Sequence, residues 1–330
     1  MNVIEVSGLI KRYKELVALD NFNLSIQAGE IFGLLGPNGS GKTTAINCIL
    51  QLLTYDKGEL RVLDQEISPT SYDIKRRIGI VPQNIAVFPQ LNVTENIDYF
   101  CSLYISDKAK RRDLVEEAIH LVGLEDFRRF RPRKLSGGLI RRLNIACGIA
   151  HKPELIFFDE PTVAVDPQSR NAILEGIRRL NEQGSTVVYT SHYMEEVEQL
   201  CTRIMIMDHG QALATGTNME LKKLVGINER IEIELLEGLD AAPDPSQVAT
   251  LTPPSPAFEH ALELVRELPH TVTAKLDGNT LRVSCARSRS ALNEILEVLN
   301  HSSITYGRVY SEPPTLNDVF LEITGKELRD

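Results

Sequence analysis

No apolar run in the chain approaches the roughly 20 residues that a membrane-spanning helix requires, and the mean hydropathy of -0.13 is ordinary for a globular protein. The N-terminus, M-N-V-I-E-V-S-G, carries neither the basic region nor the apolar region of a secretory signal. Cysteine is sparse. Cys48, Cys101, Cys147, Cys201 and Cys285 lie far apart with no C-x-x-C pair, which argues against a thiolate metal site and a disulfide framework. They read as small buried apolar residues of a reducing compartment. Positive charge is in deficit, 36 Lys and Arg against 45 Asp and Glu, for a formal net charge of -9. That balance argues against bulk nucleic-acid binding and against electrostatic adsorption to acidic lipid. The expectation is a cytoplasmic protein, held by another protein if it works at a membrane.

At 330 residues and 42% hydrophobic content, the chain is long enough for one large domain and a smaller second one. The most informative stretch is Ile31 to Thr44, I-F-G-L-L-G-P-N-G-S-G-K-T-T. A short apolar run of strand length leads into Gly36, Pro37, Asn38, Gly39, Ser40 and Gly41, followed at once by Lys42, Thr43, Thr44 and a helical apolar pattern. This is G-x-x-x-x-G-K-T between a strand and a helix, the context in which such a loop binds phosphate. Glycines let the backbone turn its N–H groups toward phosphate oxygens, and the helix N-terminus adds partial positive charge. Lys42 would reach the β- and γ-phosphates and the Thr43 hydroxyl would ligate Mg²⁺. The pattern predicts a site for a nucleoside triphosphate.

Around this loop the pattern alternates strand and helix. Strands are expected at Val3–Val6, Phe22–Ile26, Leu60–Leu63, Ile78–Val81, Leu155–Phe158 and Thr186–Thr190, and a closing hairpin around Asp208-His209-Gly210. Tyr13 falls in a polar, loop-like stretch, the helix after the phosphate loop is expected to run on to Leu53, and Asp56-Lys57-Gly58-Glu59 reads as a turn. Residues 93–129 carry helical signals, with Asn92 or Thr94 as cap and a stripe from Leu114 to Val122, so a helical subdomain over about 84–150 interrupts the α/β series. The cluster Arg128, Arg129, Arg131, Arg133 and Lys134 reads as a solvated face, with a phosphate or partner contact as the alternative. Strands alternating with helices imply a largely parallel sheet that binds ligands at its carboxyl edge. Near Gly226 the character changes. A proline-rich stretch (Pro243, Pro245, Pro253, Pro254, Pro256) and a β-α-β-β-α-β order with Asp277-Gly278-Asn279 as hairpin turn predict a small ferredoxin-like α+β domain over 227–330, after a first domain over 1–226.

A second constellation narrows the chemistry. The apolar strand Ile156-Phe157-Phe158 delivers Asp159 and Glu160, adjacent carboxylates that could hold Mg²⁺ and polarise the attacking water respectively. With Leu135-Ser136-Gly137-Gly138 added, residues 1–220 strongly resemble the ATP-binding subunit of an ABC transporter. The resemblance implies a P-loop NTPase-type core sheet with an N-terminal antiparallel β part, and ATP with Mg²⁺ as ligands. It further implies adenine stacking on Tyr13, phosphates cradled by Gly36 to Thr44, and Gln83 contacting Mg²⁺ and the water. Ser136 and Gly138, flanking Gly137, would contact the γ-phosphate of ATP held by a second copy of the chain. Glu160 would be the catalytic base, Asp166 a dimer-interface residue, and His192 a γ-phosphate contact that steadies Glu160. One departure stands out: Leu139 occupies the position where the family signature usually has Gln.

The segment Glu312-Pro313-Pro314-Thr315-Leu316-Asn317-Asp318-Val319-Phe320-Leu321, followed by Thr324-Gly325-Lys326, resembles the tail of ATPase subunits from ABC-2 type exporters. The implied assembly is a homodimer on the inner face of the membrane, energising a separate membrane-spanning permease, with no nucleic acid. The alternatives are a non-transport ABC ATPase and a nucleotide-dependent regulator of a cytoplasmic complex.

Overall fold

A computed structural model describes residues 1–224, 229–236, 256–286 and 291–324. The expected domain boundary at 226, the prolines from Pro243 to Pro254 and the pair Gly325-Lys326 lie outside those residues. In chain order the first unit contains β1 (Asn2–Tyr13), β2 (Leu16–Gln27), β3 (Ile31–Leu35), α1 (Lys42–Ile49), β4 (Lys57–Val62), β5 (Gln65–Glu66), α2 (Tyr72–Lys75), β6 (Ile78–Val81), α3 (Val93–Ser102), α4 (Lys108–Leu121), α5 (Gly137–Ile149), β7 (Leu155–Asp159), α6 (Pro167–Glu182), β8 (Thr186–Ser191), α7 (Met194–Leu200), β9 (Arg203–Asp208) and β10 (Gln211–Gly216). Compact packing divides the chain into Met1–Asn218 and a second unit from Met219, the short helix α8 (Asn218–Lys222) standing at the division.

The central sheet has the order β10-β9-β3-β8-β7-β6, parallel throughout except for β10. Every residue of β3, β7 and β8 is buried, as expected of parallel strands covered on both faces. A second sheet, β2-β1-β4-β5, is antiparallel. Phe22 and Ile4 from this sheet, Phe32 and Phe157 from the central one, and Ile46 and Ile49 from α1 share one core, so α1 and the phosphate loop stand on a rigid floor. The helical subdomain forms where expected. Val93, Ile97, Val115, Ile119, Leu143 and Cys147 of α3, α4 and α5 make its core, and Asn92 closes a capping box with Glu95.

Three local expectations are corrected. Tyr13 is the last residue of β1 and not part of a loop, because β1 continues through its polar residues by pairing with β2 and turns only at Lys14, φ 53°. The turn at Asp56 to Glu59 is instead the start of β4, whose register against β1 is irregular near Gly58. There φ is 114° and an added Cβ would meet the Leu9 Cα at 2.7 Å, so the glycine serves a bulge within the sheet. Finally, α1 ends at Ile49, short of Leu53, since Gln51 takes a left-handed φ of 54°.

The second unit contains β11 (Glu229–Leu236), α9 (Pro256–Arg266), β12 (Thr271–Asp277), β13 (Thr280–Cys285), α10 (Ala291–His301), β14 (Thr305–Glu312) and α11 (Leu316–Thr324). Its antiparallel sheet has the order β12-β13-β11-β14, the split-βαβ, ferredoxin-like arrangement. Ile231, Ile233, Leu281 and Val283 meet Phe258 and Val265 of α9 and Ile295 and Leu299 of α10 in a core of its own.

Candidate nucleotide site

Between β3 and α1 the chain makes a tight loop that only glycine permits at Gly41: φ is 104° and a Cβ would lie 2.7 Å from the Ala18 carbonyl oxygen. Gly41 also caps α1 with no side-chain hydrogen bond, leaving the first-turn N–H groups of Lys42, Thr43 and Thr44 available to an anion. Ser40 Oγ is buried with no hydrogen-bond partner, a polar atom that suits a phosphate oxygen. Lys42 is only 5% exposed, and its ammonium donates to the carbonyls of Gly36 (2.7 Å) and Pro37 (3.1 Å). Burial pushes its pKa below the ordinary lysine value, and the charge of Glu160 opposes that shift.

The two carboxylates arrive at the end of β7 and diverge. Asp159 accepts from Thr43 Oγ1 at 2.9 and 3.2 Å and from Thr190 Oγ1 at 2.7 Å. Glu160 turns away through a left-handed φ of 48°, its N–H donating to Thr190 Oγ1 at 2.9 Å. Its carboxylate then lies 3.5 Å from Lys42 Nζ, accepts from Gln83 Nε2 at 2.9 Å, and stands 3.4 Å from His192 Nδ1. That imidazole nitrogen is buried and makes no aligned hydrogen bond despite its proximity to the carboxylate. A non-glycine residue in this region is uncommon and marks a position over-determined by its surroundings.

Thr43, Asp159 and Gln83 offer hydroxyl, carboxylate and amide oxygens, the hard donors that suit Mg²⁺. Among the described residues no group of three or more His, Cys, Asp and Glu forms a protein-only metal cage.

Thr43, Gln83 and Glu160 open onto a cleft of about 360 Å³ shared with Asn38, Gly39, Gly41, Lys42 and Thr44, whereas Asp159 and His192 lie outside its lining. Tyr13, Leu16, Val17 and Ala18 from the β1–β2 hairpin form one wall. The Tyr13 ring is 43% exposed, with the Lys11 ammonium 5.0 Å from its centroid. His209 and Gly210 form another wall that the sequence reading missed. The local pattern at Asp208-His209-Gly210 predicts only a hairpin turn, but Gly210 N–H donates to Ser40 O at 2.9 Å and Gly210 O accepts from Asp20 N at 3.1 Å, which fixes the turn against the phosphate loop.

Ser136, Gly137, Gly138 and Asp166 do not line this cleft. Ser136 caps α5, accepting from Leu139 N at 3.4 Å, and Asp166 caps α6, accepting from Ser169 N at 2.9 Å. The Ser169 hydrogen bonds hold the Asp166 carboxyl below the usual range. The two helix starts touch: a Cβ on Gly138 would lie 2.2 Å from Ser169 Oγ and 3.0 Å from Asp166 Oδ2. The Leu139 side chain packs against the helical-subdomain core. In the basic cluster, Arg128 pairs with Glu116 at 2.7 Å, whereas Arg129, Arg131, Arg133 and Lys134 are exposed.

Three supporting residues were also missed. Thr190 ties Asp159 to the Glu160 backbone. Arg141 Nη1 donates to Gln83 O at 2.6 Å, and Asn144 holds Pro82 O and Ala86 N. All three were read as helix or strand residues of no special role; only their buried polarity within apolar elements could have singled them out.

The ABC transporter family profile matches residues 19–163. The chain is similar to the linearmycin resistance ATP-binding protein of Bacillus subtilis (strain 168), 36% identical over 99% of this chain and 100% of that protein. It is 31% identical to the Nod factor export ATP-binding protein I of Ralstonia nicotianae, over 99% of this chain and 95% of the relative. Among solved structures, the dimeric structure of a bacterial ABC transporter cassette is 29% identical, with a TM-score of 0.60, and covers 65% of this chain and 98% of that one.

Proposed function

The chain belongs to the ABC transporter ATP-binding family, and from that premise we propose that two copies of it close around ATP and Mg²⁺ to energise export through a separate membrane-spanning partner. The chain is an ATPase; the residue roles, the metal, the dimer and the partner are the proposal. Thr43, Asp159 and Gln83 would hold Mg²⁺, which when bound offsets charge on the β- and γ-phosphates. The α1 N–H groups and Lys42 bind the triphosphate. Lys42 in the free protein faces Glu160; turning its ammonium to the γ-phosphate releases the carboxylate to orient water for in-line attack. Gln83 and His192 steady that carboxylate from the other side. Tyr13 offers its exposed ring to the adenine.

Ser136–Gly138 and Asp166, whose helix starts meet each other, complete the site of the opposite copy. The γ-phosphate contacts both copies only while intact, so ATP favours the closed dimer and hydrolysis reopens it. The helical subdomain, which carries the Gln83 loop through Arg141 and Asn144, passes that motion to the partner. Among the described residues no helix is long and apolar enough to cross a membrane. The proposed spanning subunit holds the ATPase at the inner membrane face. The resistance and export names of the relatives, together with the Glu312–Leu321 segment, support an ABC-2 type exporter.

The observation that carries this reading is the Glu160 carboxylate, buried and flanked by Lys42, Gln83 and His192. In Glu160→Gln, ATP binding is retained while turnover falls by about 10²-fold or more, the scale of a lost general base, and an ATP-bound dimer accumulates in light scattering. Unchanged turnover removes Glu160 from this role.

A further inference from the structure

Behind the catalytic cluster lies a second buried carboxylate that the hydrolysis scheme does not use. Glu196 on α7 is 2% exposed. Its Oε2 accepts three hydrogen bonds: from Thr162 Oγ1 at 2.8 Å, from Tyr189 OH at 2.7 Å and from Ser191 Oγ at 3.1 Å. The Ser191 oxygen in turn accepts from Tyr193 N–H at 2.9 Å. Oε1 faces Arg170 of α6 at 3.2 Å, an ion pair whose atoms are not aligned as a hydrogen bond, and the Arg170 guanidinium lies over the Tyr193 ring at 4.9 Å. Burial and the neighbouring Glu196 charge push the Tyr189 phenol well above its ordinary pKa, so it stays a donor. A carboxylate this deeply buried persists only because its partners match it.

The placement of those partners gives the group its meaning. Ser191 and Tyr193 flank His192 on both sides. Thr162 lies two residues beyond Glu160. Arg170 follows Asp166 by one helical turn, and Arg170 N–H donates to Asp166 O at 2.9 Å. One carboxylate therefore ties together the turn that presents His192, the segment that leaves Glu160, and the helix that starts at Asp166. Anchored this way, Ser191-His192-Tyr193 has little freedom to swing, and His192 Nδ1 rests 3.4 Å from Glu160 without a hydrogen bond of its own. We infer that Glu196 is a positioning residue for ATP hydrolysis, fixing the Ser191–Tyr193 turn so that the His192 imidazole stands beside Glu160. It lies outside the cleft lining and acts through His192. The inference rests on the proposed role of His192.

A double-mutant cycle tests it, using full-length protein and steady-state ATP hydrolysis. Glu196→Gln preserves volume and removes the charge that gathers the three hydroxyls and Arg170. The expected result is a fall in kcat of about tenfold or more with KM for ATP within about twofold, since the residue lies outside the binding cleft. His192→Ala lowers kcat on its own, and the double variant stays within about threefold of His192→Ala, because the residue through which Glu196 acts has gone. A further tenfold loss in the double variant, or a kcat for Glu196→Gln within twofold of the parent, overturns the inference. Ser191→Ala deletes one donor and the tie to Tyr193 N–H; it shows a smaller kcat loss with the same unchanged KM, and keeps the test decisive should Glu196→Gln fold poorly. Full turnover in His192→Ala would instead overturn the role of His192 itself, and a normal Glu196→Gln beside an impaired His192→Ala overturns only the present inference.

Discussion

Lys42 sits where burial and ligand binding pull on the same proton. Desolvation disfavours its ammonium form and outweighs the attraction of Glu160, so in the free protein Lys42 releases its proton at a lower pH than an ordinary lysine. A bound triphosphate favours the charged form and raises that pKa again. Nucleotide affinity is therefore fully present below the depressed pKa and declines as pH rises through it, with proton uptake on binding in that alkaline window. Isothermal titration in buffers of different ionisation enthalpy reads the uptake directly. It disappears together with most of the affinity in Lys42→Met, and binding without proton exchange across the alkaline range would contradict the assignment. At this scale the phosphate loop was legible because its glycines, lysine and threonine are consecutive. The grip on Glu160 was not, since Gln83, Lys42 and His192 are far apart in sequence and meet only through the order of β6, β7, β3 and β8.

The elements that carry Ser136 and Asp166 meet more tightly than either cap requires. A Cβ at Gly138 would lie 2.7 Å from Ser169 Cβ as well as 2.2 Å from its oxygen, and a Cβ, unlike a hydroxyl, cannot rotate away. Gly138→Ala must therefore lift the start of α5 from the start of α6, at a cost of about 1–3 kcal/mol. Denaturant unfolding measures that loss, and Ser169→Gly added to Gly138→Ala recovers much of it by removing both clashing atoms. No recovery would mean that the glycine serves conformation rather than close approach. Segments with strong apolar patterning were legible here: the strand β3 and the stripe along α4 follow from their apolar spacing. The ends of β1, β4 and α1 were not. β1 and β4 are extended by pairing across a sheet that local composition does not encode, and α1 is cut short by a left-handed residue, Gln51, whose type gives no warning.

Across the molecule, the two units are built by two different rules. The first unit buries a parallel sheet between helices and an antiparallel sheet, and the proposed ATP site stands at its carboxyl edge. The second buries one face of an antiparallel sheet under α9 and α10, with Leu281 at its centre and fully buried. Its order was legible from the alternation of Ile231, Ile233 and Leu235 and the turn at Gly278, because an antiparallel sheet with one covered face repeats at period two. Its purpose was not, because no catalytic constellation stands out in its sequence. The first unit's sheet core and the second unit's core draw their side chains from separate units, so damage to one need not reach the other. Leu281→Ala removes a buried side chain at a site of this kind at a cost of about 2–5 kcal/mol. In scanning calorimetry the loss appears as a downward shift of one transition, while the affinity for ATP and the transition that responds to ATP stay in place. Nucleotide binding would protect only the first unit, by mass action on its folded state. A single transition that moves as a whole with both Leu281→Ala and added ATP would show instead that the two cores fold as one cooperative body, and would make the second unit part of the stability of the ATPase.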